Sequence, residues 1–166
     1  LNGLIFHGGY PELYAKELSE NQSMIQEIKN AITSGMPYLA ECGGFMYLHE
    51  FMEDMKGNTH PMLGIMKGTA YKTSKLARFG YIELKSNKTS VLGNENLFCR
   101  GHEFHYFDST SNGTDFVARK PLSNRSWKCI HANENGVAGF PHMYYYSNPQ
   151  MIVDFLKNCE RTDEGE

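Results

Sequence analysis

The chain has little with which to hold nucleic acid or cross a membrane. Its 166 residues carry a formal net charge of -3 and no basic run, so no polyanionic partner is indicated. No apolar run approaches the length a bilayer requires, and no positively charged leader precedes an apolar stretch. Cysteine is sparse: Cys42, Cys99, Cys129 and Cys159 lie far apart, without the Cys-x-x-Cys pairing of a zinc site, so no metal is expected. A chain this size does not need disulfides, which points to a reducing, cytoplasmic setting. A Gly-x-x-x-x-Gly-Lys-Ser/Thr phosphate loop is missing, and Thr73-Ser74-Lys75 is too short to replace one. Internal repeats and low-complexity tracts are also lacking, so one domain is expected over residues 1–159, with a disordered tail over 160–166. The opening Leu1-Asn2-Gly3-Leu4-Ile5-Phe6 starts as a strand, with no lead-in or initiator Met, as a piece of a longer protein would.

What is present, 40% hydrophobic and 21% charged residues, suits a globular domain with a sizeable core. Its organising stretch is Ser34 to Glu50. Gly35 and Pro37 close one helical pattern, Tyr38 to Ala40 form a short buried strand, and Gly43 to Glu50 restart as a helix. Cys42 therefore falls on a sharp strand-to-helix turn with small residues, Ala40 and Gly44, to either side. Such a turn strains the central backbone and presents its side chain, the physics of a nucleophile elbow. The free N–H groups opening the next helix favour thiolate over thiol. The competing reading is a small buried hydrophobe.

Gly3 to Phe6 reads as a central parallel strand, broken by His7-Gly8-Gly9-Tyr10. Pro11 opens a helix with Glu12 in its first turn, and a second helix spans Ser23 to Ser34 with Asn21 or Ser23 as cap. This succession is a right-handed parallel crossover that brings Cys42 to the sheet edge carrying Gly8 and Gly9. From Gly57 the pattern changes to short, largely antiparallel strands: Leu63 to Lys72, Ala77 to Lys85, Phe98 to Phe107, Asp115 to Arg119 and Trp127 to His131. Gly136 to His142 reads as a last strand, and Ser147-Asn148-Pro149 starts a final helix with an apolar face of Ile152, Phe155 and Leu156. Tyr144, Tyr145 and Tyr146 are expected to pack that helix against the sheet.

A cysteine nucleophile needs a base, and His142, delivered by a buried strand, is the first candidate ahead of His7, His49, His60 and His131. His102 and His105 face opposite sides of a strand and do not converge on a metal. Arg100, His102, Glu103, His105 and Tyr106 either satisfy one another in a core network or line a cleft.

Taken together, four ordered stretches resemble the cobyrinic acid a,c-diamide synthase family: Gly8-Gly9-Tyr10-Pro11-Glu12-Leu13, Ala40-Glu41-Cys42-Gly43-Gly44-Phe45-Met46-Tyr47-Leu48, Arg100-Gly101-His102-Glu103-Phe104-His105-Tyr106, and His142 before Ser147-Asn148-Pro149. Lys72 to Tyr81 resembles that family's strand pair, and the likeness runs from about Gly3 to Phe155. The resemblance implies a class I glutamine amidotransferase fold: an α/β, three-layer domain with a mainly parallel central sheet flanked by helices and an antiparallel extension, short of its first strand and helix. It implies Cys42 as nucleophile and His142 as base. It further implies an oxyanion hole from Gly43 with the Gly8-Gly9 turn, and Tyr10 and Glu12 near the glutamine pocket. Arg100, His102, Glu103 and His105 are expected at an interface with an N-terminal synthetase half, which would hold ATP and Mg²⁺; no cofactor is expected in this chain. Many relatives carry Glu two residues after the histidine; here that place is Tyr144, leaving a Cys/His dyad. His7 stands where the family usually has a third glycine, and its side chain either crowds the turn or faces solvent. A sheet lacking a strand should also expose an edge and self-associate. The rivals are the same glutaminase chemistry serving cobyric acid or a nickel sirohydrochlorin, and a catalytically silent docking module.

Overall fold

The computed structural model describes residues 1–161. The chain opens with β1 (Leu4–Phe6), a 3-10 turn over Pro11–Tyr14 and α1 (Ala15–Glu20), followed by α2 (Gln22–Thr33). The Asn21 side chain caps α2 by accepting from the Met24 N–H at 3.3 Å. Gly35, at φ 94°, closes it as a Schellman motif, with Gly35 N–H donating to Ile32 and Met36 N–H to Ala31. The chain then runs into β2 (Tyr38–Glu41), turns at Cys42, and makes one short helix, α3 (Gly43–Leu48).

The expected helix to Glu50 stops two residues early. His49 is extended and starts β3 (His49–Glu53), because its buried ring is held between the Phe45 carbonyl at 2.9 Å and Ser109 Oγ at 2.6 Å. Strand pairing on both sides completes the override of local helical pattern. β4 (Thr59–Pro61), β5 (Met66–Lys72), β6 (Arg78–Ser86), β7 (Phe98–His105) and β8 (Phe107–Ser109) follow, then β9 (Phe116–Arg119), β10 (Ser126–Cys129) and β11 (His131–Ala132). β12 (Gly136–Gly139), β13 (His142–Tyr144) and α4 (Gln150–Arg161) complete the described chain.

A four-stranded sheet in the order β1-β2-β12-β11 lies at the centre, parallel except at β11. Alternation sends Ala40 and Ala138 to one face, where Ile25, Ile32, Phe45 and Leu48 cover them. Leu39 and Val137 face the other side, against Met151 and Phe155 of α4 and the sheet of β6 and β7. Helices on both faces make three layers, and each fully buried large side chain, such as Phe45 or Leu84, contributes roughly 1.5–3 kcal/mol. The extension comprises a five-stranded antiparallel sheet β10-β9-β6-β7-β13 and a four-stranded sheet β4-β3-β5-β8, antiparallel except where β3 and β5 run parallel.

Several local expectations are corrected. Ahead of α4, Ser147 Oγ accepts from Arg100 N–H at 2.8 Å and Asn148 donates to the Phe98 carbonyl at 2.9 Å, tying the helix approach to β7. Met151 and Phe155 form the buried face, and Leu156 is exposed. Tyr144 and Tyr146 are exposed as well, so only Tyr145 of the three rings turns inward. The domain boundary expected at Cys159 falls inside α4, and 162–166 of the expected tail lie outside the described residues. Among the described residues no helix is long and apolar enough to cross a membrane.

Candidate active site

Cys42 sits between the last residue of β2 and the first of α3 at φ 50°, ψ -106°, a region that L-residues rarely adopt. The surroundings fix this strain. Cys42 N–H donates to the Gly139 carbonyl at 2.9 Å, Met46 N–H closes back onto the Cys42 carbonyl at 3.0 Å, and Gly44 N–H donates to the His7 carbonyl at 3.1 Å. A Cβ on Gly43 would lie 2.7 Å from the Gly9 carbonyl oxygen, and one on Gly44 would collide with the Phe6 backbone. The elbow can therefore press against the Gly8-Gly9 turn only because both of its following residues are glycine.

His142 reaches Cys42 from the opposite wall. β12 pairs alongside β2 and leads through Phe140 and Pro141 into β13, which sets His142 opposite His102 on β7. The imidazole faces the Cys42 thiol across the cleft; that neighbour and the Glu41 carboxylate together push it up to about 10 against the opposing effect of burial. His102 stacks on it, with ring centroids 5.0 Å apart and planes at 22°. Glu41, which the sequence reading did not single out, places Oε2 3.7 Å from His142 Nδ1. Its Oε1 accepts from Tyr145 Oη at 2.7 Å and from Met143 N–H at 3.2 Å. The available signal was an acid immediately before the cysteine.

An open cleft of about 380 Å³ brings together Gly8, Gly9, Tyr10, Glu12, Cys42, His102, His105 and His142. Gly43 touches it from beneath through Gly9. Tyr10 is exposed at the rim, whereas Glu12 is buried and desolvation raises its carboxyl. The His7 side chain is exposed, so it leaves the glycine turn clear. Arg100 and Glu103 are outside the cleft. The strict alternation of β7 leaves Arg100 and His102 exposed and turns Glu103 and His105 inward, 2% and 5% exposed. That burial corrects the expectation that Glu103 and His105 meet another domain. His105 instead stacks on Phe140, ring centroids 4.1 Å apart. His49 and His131 are occupied elsewhere, the first by Ser109 and the second by the Ser111 carbonyl at 2.8 Å. Among the described residues no cluster of three or more His, Cys, Asp or Glu side chains is arranged to hold a metal.

A cysteine on a strained strand-to-helix turn facing a histidine is here set in an α/β fold that solved structures share. A crystal structure of a glutamine amidotransferase superposes with a TM-score of 0.64 at 17% identity, covering 96% of this chain and 80% of that one. PurLQS from Thermotoga maritima superposes with a TM-score of 0.62 at 16% identity, covering 93% and 78%. The chain belongs to the CobB/CobQ-like glutamine amidotransferase domain family, whose model matches residues 1–149. It is 39% identical over 159 residues to the cobyrinate a,c-diamide synthase of Caldanaerobacter subterraneus subsp. tengcongensis, covering 95% of this chain and 35% of that protein. With the cobyrinate a,c-diamide synthase of Clostridium acetobutylicum it shares 37% identity over 162 residues, again 95% and 35%. The chain thus spans about a third of the length of these relatives.

Proposed function

We propose that this chain hydrolyses glutamine and passes the ammonia to an ATP-dependent synthetase part of a longer protein. The observation that carries the reading is the strained Cys42 facing His142 in one cleft. His142 takes the thiol proton, and the Cys42 sulfur attacks the side-chain amide carbon of glutamine. The tetrahedral oxyanion is held by the N–H of Gly43, which as the first helical residue has no intrahelical partner, and by an N–H of the Gly8-Gly9 turn. Collapse breaks the C–N bond; His142 returns the proton to the departing ammonia and a glutamyl thioester remains. His142 then activates water, which cleaves the thioester and releases glutamate. Tyr10 and Glu12, at the rim and wall of the cleft, lie near the glutamine pocket in this reading.

The acceptor reading rests on the relatives: the a and c carboxylates of cobyrinic acid, in cobalamin biosynthesis, with cobyric acid or a nickel sirohydrochlorin as the alternative acceptors. ATP and Mg²⁺ do not fit this chain, which lacks both a phosphate loop and a convergent acidic cluster among its described residues. They are assigned to the part of the relatives that this chain does not cover, and no step here runs through them. The test is ammonia release from glutamine by this chain alone and with the separately expressed synthetase part, each beside Cys42→Ala. Cys42-dependent release that rises with the partner supports the proposal. Release no greater than that of the Cys42→Ala control in the complete complex would leave a silent docking module.

A further inference from the structure

Beyond the Cys42 and His142 pair, and resting on that reading, we infer that Glu41 is the positioning residue that orients the His142 imidazole and that Tyr145 anchors Glu41. The position that could supply a carboxylate two residues after the histidine is Tyr144, whose ring is exposed and lies against Tyr146 with centroids 6.0 Å apart. The acid comes from the opposite direction. Glu41 ends β2 in register with Gly139 of β12, and the chain leaves β12 to deliver His142 back over it.

The two carboxylate oxygens have divided tasks. Oε1 is taken by the Tyr145 hydroxyl at 2.7 Å and the Met143 N–H at 3.2 Å, which leaves Oε2 directed at His142 Nδ1, 3.7 Å away. That separation is an ion-pair distance that a small ring rotation shortens to a hydrogen bond, as catalytic contacts do when substrate is bound. The Glu41 and His142 side chains are 15% and 27% exposed, so water screens them incompletely. Burial and the carboxylate keep the Tyr145 hydroxyl protonated by raising its pKa, so it remains a donor. The remaining groups facing this pair are the Cys42 thiol, the stacked His102 ring, and the Cys99 thiol, which the Glu41 charge affects. Of these only the Cys42 sulfur adds negative charge beside the imidazole, once its proton has passed to His142, and the Glu41 carboxylate acts on the ring from its Nδ1 side. Glu41 therefore fixes the ring plane and stabilises the imidazolium that must form before ammonia departs.

The test reads Cys42 without requiring turnover. Iodoacetamide alkylation of Cys42 is followed by peptide mass against pH, and the His142 imidazole is titrated by NMR, in the wild type, Glu41→Gln, Tyr145→Phe and Tyr144→Phe. In the wild type the alkylation rate has an upper inflection where His142 loses its proton. Glu41→Gln is expected to move that inflection and the NMR midpoint down by about one pH unit, a tenfold change in the ionisation constant. Tyr145→Phe moves both less and in the same direction, and Tyr144→Phe leaves them in place. A folded Glu41→Gln with the wild-type inflection overturns the inference. Should Glu41→Gln fail to fold by circular dichroism, Tyr145→Phe decides, and an unmoved inflection there overturns it equally. If His142→Ala leaves the Cys42 alkylation profile of the wild type unchanged, the underlying pair itself is wrong, an outcome distinct from failure at Glu41.

Discussion

The two walls of the cleft reach their precision by opposite means. On the Cys42 wall, a parallel strand and a six-residue helix meet with glycine against backbone at Gly43 and Gly44, and main-chain hydrogen bonds hold a positive φ. On the His142 wall, antiparallel pairing of β7 with β6 and β13 exposes every second side chain, leaving His102, Phe104, Phe79 and Tyr81 on an open face. Backbone geometry presents the sulfur; side-chain contacts from Glu41, His102 and Tyr145 surround the imidazole. A substitution on the first wall therefore distorts structure, and one on the second changes ionisation.

The strongest break of that contrast is expected at Cys42 and His142. Cys42→Ala is expected to lower glutamine-dependent ammonia release in the complete complex by on the order of 10³-fold or more. His142→Ala should cost about 10²–10⁴-fold in the same assay, the range of a lost general acid–base group. Stability separates the walls next. Gly44→Ala should destabilise by about 1–3 kcal/mol in denaturant titration, because its methyl meets the Phe6 backbone, whereas Phe104→Ala on the open face should stay within about 0.5 kcal/mol.

Two histidines give opposite pH slopes. His142 is pushed up from 6.5 to about 10, so it contributes stability that is complete below 6.5 and lost as pH rises through 10. Burial pushes His49 down from 6.5 to about 4, so its stability is complete above 6.5 and lost as pH falls through 4. Thermal midpoints against pH should lose the alkaline slope in His142→Gln and keep the acid one. The smallest effect concerns the other thiols. Burial pushes Cys99 and Cys129 up to about 12, so iodoacetamide at neutral pH should label neither, and Cys99→Ala should leave Cys42 labelling unchanged.

The turn that carries Cys42 was legible in the sequence because its determinants are local. Asn21, Gly35, Pro37 and the glycines after Cys42 each act within a few residues, and the crossover from β1 to α3 follows from them. His142 was legible as the end of a buried strand. The extent of α3 was not, since His49 is turned into β3 by Ser109 from a distant strand. Glu41 was missed because its partners, Tyr145 and His142, come beside it only through the pairing of β2 with β12. Glu103 was misplaced although the alternation that buries it is written in β7; the dense run of polar residues around it masked the period of two.

His142 is also bounded by two side chains that do not exist. A methyl on Gly8 would stand 2.6 Å from its Cε1, and one on Gly101 would stand 2.5 Å from its carbonyl oxygen. Anyone sorting genomic sequences of this family by whether cysteine and histidine are kept would pass a copy bearing alanine at either place as intact. With this chain's backbone such an alanine would crowd His142 while leaving the cysteine and histidine signature unbroken.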